Sequence, residues 1–89
     1  MTTTVVLGDE YDQQLRTAIM QVMLQLGAVL ENRNWVVAGS QEVETFLWQL
    51  AGHEIAVEAE TYMGLSISGD ENTINDIAQR VSQAVQAAN

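Results

Sequence analysis

The chain contains no cysteine, no proline and no lysine. Without cysteine there is no disulfide framework, no thiolate metal site and no cysteine nucleophile. Without proline, punctuation falls to six glycines and to Asn/Asp clusters. Without lysine, only Arg16, Arg33 and Arg80 oppose 12 carboxylates, giving a net charge of −9. Three scattered arginines cannot form the basic footprint that releases counterions from phosphates, so a nucleic-acid partner is not expected. The same balance disfavours an anionic membrane surface and leaves a basic protein partner open. No apolar run approaches the roughly 18 residues of a membrane-spanning helix. The N-terminal stretch lacks a basic region and a signal-length apolar run, so the expected location is cytoplasmic.

What is present is ample apolar surface. Hydrophobic residues make up 47% and charged residues 17% of the 89 residues, enough to offset chain entropy in one domain over residues 1–89. Thr3 to Leu7 are β-branched and short, reading as a strand before Gly8. Asp9 stands where a helix N-cap is needed. After it Tyr11, Leu15, Ala18, Ile19, Val22 and Leu26 recur at helical spacing, Met20, Met23 and Leu24 widen the stripe, and Gly27 closes it.

Residues 28–40 hold two apolar runs around Glu31-Asn32-Arg33-Asn34, a cluster that reads as the turn of a hairpin. Residues 41–51 fit either a helix capped by Ser40 and ended by Gly52, or a strand turning at Ala51-Gly52. The strand is preferred because it sorts both partners by polarity. Trp48 then faces Ile55 and Phe46 faces Val57, while Gln49 meets Glu54, Thr45 meets Glu58 and Leu47 lies beside Ala56. Another alternating run, Leu65 to Ser68, follows a turn near Thr61-Tyr62. Asp70 to Thr73 supply caps for a last helix with an Ile74, Ile77, Ala78, Val81, Val85 stripe. The expected fold is α+β: a two-layer sandwich in the order β-α-β-β-β-β-α, with about five antiparallel strands, a polar outer face and both helices on the other.

Candidate chemistry is sparse. His53, the only histidine, has Glu54 as its sequence neighbour, but on a strand the two project to opposite faces, which leaves the imidazole without an orienting partner. Glu54, Glu58 and Glu60 are strung along a strand at about 6.5–7 Å intervals rather than converging as a hard cation needs. Asp70, Asn72 and Asn75 lack the glycine of a calcium loop, no phosphate loop surrounds Gly64 to Gly69, and Ser40, Ser66 and Ser68 lie in no nucleophile elbow. No catalytic residue, metal site or cofactor is therefore expected.

Trp48 suits the core, whereas Tyr62 and Met63 fall in a turn where an interface role is natural for Tyr and Met. The expected activity is that of a non-catalytic interaction or regulatory module, such as an inhibitor or immunity-type partner of a basic protein. Its candidate contacts are Tyr62, Met63, Glu54, Glu58 and Leu47. The alternative is a small-ligand or divalent-metal domain using the polar face of the sheet, and a homodimer is compatible with either.

Overall fold

The computed structural model describes residues 1–88. The elements run β1 (Thr2–Gly8), α1 (Gln13–Gln25), β2 (Val29–Ala38), β3 (Gln41–Leu50), β4 (His53–Glu60), β5 (Gly64–Asp70) and α2 (Glu71–Ala88). This is the expected α+β order. All five strands form one antiparallel sheet in the spatial order β1-β5-β4-β3-β2, so α1 carries the chain from one edge of the sheet to the other. Among the described residues no helix is long and apolar enough to cross a membrane.

The ambiguous segment 41–51 is strand, in the register that polarity matching requires. Trp48 faces Ile55, Phe46 faces Val57, Leu47 faces Ala56, Thr45 faces Glu58 and Gln49 faces Glu54. The Ala51-Gly52 turn joins the two strands with both residues at positive φ, 51° and 83°, the type I′ geometry that follows strand twist.

Two local expectations are corrected. The N-cap of α1 is Asp12, not Asp9: its carboxylate accepts from the Leu15 N–H at 3.0 Å. Asp9 instead accepts from the Tyr11 N–H at 2.7 Å, closing a side-chain turn one step earlier. Tyr11 thereby leaves the helical stripe and stands 66% exposed. The second correction concerns residues 28–40, which form no hairpin. Val29–Ala38 is one continuous edge strand with every residue exposed. Its Asn/Arg cluster is tolerated because both faces of that strand meet water, and a bulge between Leu30 and Asn32 absorbs an extra residue. The reversal falls at Gly39-Ser40, with Gly39 at φ 64°.

The core lies between the helices and the covered part of the sheet. Leu15, Ala18, Ile19, Val22 and Met23 of α1 meet Ile55, Val57, Leu65 and Ile67 of the central strands and Ile74, Ile77 and Val81 of α2. Each fully buried side chain of this size contributes about 1.5–3 kcal/mol. Gly27 ends α1 at φ 82°, with the Ala28 N–H reaching the Met23 carbonyl and the Gly27 N–H the Leu24 carbonyl. Those two bonds satisfy helix-end acceptors in a Schellman arrangement. At α2, the Asp70 carboxylate accepts from the Thr73 N–H and from its hydroxyl; these two bonds hold its pKa below the ordinary 3.8.

Candidate functional site

β2 and β3 extend past the helices, and their helix-side residues form the floor of an open cleft of about 470 Å³. Alternation sets which side chains reach it. Arg33 and Trp35 of β2 lie opposite Phe46 and Glu44 of β3, and Val37 lies opposite Glu42. The loop before α1 supplies Glu10 and Tyr11, and α1 itself supplies Arg16.

Glu44 is the electrostatic centre of this wall. One carboxylate oxygen receives the Arg16 guanidinium at 2.9 Å and the other the Arg33 guanidinium at 2.6 Å, with the Glu44 side chain only 17% exposed. The Arg33 hydrogen bond lowers the Glu44 pKa below its ordinary 4.5; burial opposes this, and Arg16 adds to the lowering. Arg33 also lies over the Phe46 ring, 5.4 Å from its centroid, a distance at which the ring face attracts a cation. Arg16 is further fixed by its Nε donating to the Glu10 carbonyl at 2.8 Å. Both arginines are thus committed to Glu44, while Glu42 accepts from the Trp35 indole N–H at 3.2 Å at the mouth.

The β4–β5 turn is pinned to the same end. The Thr61 N–H donates to the Glu42 carbonyl and its hydroxyl accepts from the Glu42 N–H. The Met63 N–H closes the turn on the Glu60 carbonyl, and Tyr62 sits inside it at φ 69°, a conformation that favours glycine or asparagine. Its N–H donates to the Glu10 carboxylate at 2.8 Å. Tyr62 is 78% exposed and Met63 63%.

The five residues singled out in the sequence therefore divide. Tyr62 and Met63 belong to the cleft end of the molecule. Leu47, Glu54 and Glu58 lie on the helix-free face: Glu54 exposed beside Gln49, Glu58 half-buried between Thr45 and Ser66, and Leu47 half-buried between Asn32 and Ala56. His53 is exposed at the start of β4. Among the described residues no three acidic or histidine side chains gather to hold a metal ion.

Sequence reasoning missed Glu10, Tyr11, Trp35 and Glu42 as neighbours. The only available signal was the alternation Arg33, Trp35, Val37 against Glu42, Glu44, Phe46, which becomes legible once residues 29–38 are taken as a single strand. The chain matches no known protein family, no curated protein and no solved structure.

Proposed function

We propose that the protein is a non-catalytic interaction module that receives a basic segment of a partner protein at the cleft end. The observation that carries this reading is the grouping of its exposed aromatics. Tyr11 and Trp35 line the cleft, and Tyr62 is tied to Glu10 in its wall. Tyrosine, tryptophan and methionine around a polar depression are the composition of interface hot spots. A tyrosine held at φ 69° in a turn that favours glycine, with its side chain in water, is better accounted for by contact than by folding. The partner's charge follows from the balance of the site: three carboxylates, Glu10, Glu42 and Glu44, outnumber Arg16 and Arg33 there, which leaves the cleft acidic by one charge within a chain of net charge −9. Aromatic faces beside carboxylates suit a lysine or arginine side chain. The same reading includes self-association, since an open strand edge can pair with its own copy.

The test is capture from a lysate of the source organism at low salt, with Trp35→Ala and Tyr62→Ala run in parallel. A basic protein retained by the native chain, released by salt and lost with either variant is the expected result. Equal retention by the variants, or retention indifferent to salt, would remove the cleft from the reading.

A further inference from the structure

We infer that β2 is the interface between two copies of this chain, pairing antiparallel about a two-fold axis through Trp35. The inference builds on the self-association part of the reading above and not on partner docking. β2 is the longer of the two edges of the sheet: ten residues, all exposed, including Val29, Leu30, Trp35, Val36 and Val37. It has none of the lysine or proline that blunts natural edges. It also carries one carboxylate, Glu31, against one guanidinium, Arg33. In a molecule of net charge −9, this strip carries no net charge of its own, so two copies of it meet without like-charge repulsion between their strand side chains.

Hydrogen-bond phase fixes the register. The two-residue Gly39-Ser40 turn makes Ala38 and Gln41 a bonded pair, and bonded pairs then alternate along an antiparallel ladder. Arg33, Trp35 and Val37 are therefore the residues whose backbone N–H and C=O groups point away from β3 into water. Only a two-fold axis at Trp35 uses all of them, setting Arg33 against Val37 of the second copy and Trp35 against Trp35 of the second copy. The regular stretch Asn32–Ala38 then pairs along its whole length, clear of the bulge. Such an axis stands perpendicular to the sheet, so both clefts open on the same face of a ten-stranded sheet. The paired edge is about 23 Å long. A single strand pairing of that length is a small interface by the standard of roughly 800 Å² per partner, so association is expected to be weak and concentration-dependent.

Sedimentation from micromolar to near-millimolar concentration tests this. The apparent mass should rise from 9.8 kDa towards twice that value, and added salt should tighten association by screening like charge. That dependence is opposite in sign to docking of a basic partner, so either proposal can fail alone. Val37→Pro removes an outward N–H while sparing the ladder to β3, and should stay monomeric with an unchanged circular-dichroism spectrum. Val37→Lys, facing Arg33 of the second copy, should weaken association about tenfold, and it carries the test if the proline variant does not fold. A native chain that stays monomeric at high salt overturns the inference, as does a dimer indifferent to both substitutions.

Discussion

β1 and β2 both end the same sheet, yet they are treated differently. β1 is short, Val5 and Leu7 pack against the core, α2 lies on it, and the Met1 carbonyl just before it accepts the Glu71 N–H. β2 is longer, exposed throughout and covered by neither helix. The cause is geometric. Two helices of about 10 Å diameter cover about four strands spaced 4.8 Å apart, and α2 lies over β1 and β5. With α1 over the next strands, the fifth strand is left uncovered. The difference shows that this fold uses its helices on four of its five strands and leaves β2 open, where Arg33 and Trp35 line the cleft.

The comparison is broken most directly by truncation on each side. Ile67, fully buried on β5, should lose about 2–5 kcal/mol on Ile67→Ala. Val37→Ala at the open edge should change the stability of the dilute protein by about 0.5 kcal/mol or less. Urea denaturation measures both, and comparable losses would mean that the open half is packed.

Next in size is Gly64→Ala, on the covered side. A Cβ there would lie 2.6 Å from the Gly8 carbonyl oxygen, and Gly64 has φ 95°, so substitution adds backbone strain to a contact that β1 must move to relieve. A loss of about 2–4 kcal/mol is expected, whereas Gly39→Ala, with open space around it, should cost less because only the strain is paid. Equal losses at the two glycines would remove the close packing of β1 as the distinguishing cause.

On the open side Glu44 is the carboxylate that holds two arginines. Its pKa is depressed in the folded state, so its contribution is fully present above the unfolded value near 4.5 and is lost as pH falls through the lower folded value. Glu44→Gln should lower stability at neutral pH by about 1–2 kcal/mol, and the gap between variant and native chain should close in acid. A gap that persists below the folded pKa would mean that Glu44 acts by packing and not by charge.

Legibility in the sequence followed the same division. The covered half was readable because burial imposes periodicity: the Leu15 to Val22 and Ile74 to Val81 stripes and the Trp48/Ile55 and Phe46/Val57 pairs all stand where spacing places them. The open half was misread because nothing there constrains polarity, so Asn32 and Asn34 in a strand look like a turn. The cleft was invisible for a related reason. It joins Glu10 to Tyr62 and Thr61 to Glu42, contacts far apart in the chain that no local pattern encodes. Asp9 and Asp12 are both competent caps, and only the path of the chain into α1 chooses between them.

The β3–β4 turn gives a small effect and the only expected gain. Ala51 holds φ 51° in the first central position of a type I′ turn, where a Cβ is penalised and asparagine is favoured because its side chain bonds locally to the backbone. Gly52 already occupies the second position at φ 83° with open space around it. Ala51→Asn creates the Asn-Gly pair that this geometry prefers and should raise stability by about 0.5–1 kcal/mol. If the hairpin acts through the covered half alone, the gain appears in thermal melting while capture by the Trp35 cleft is unchanged. A change in both would show that the two halves of the sheet are mechanically coupled through β3.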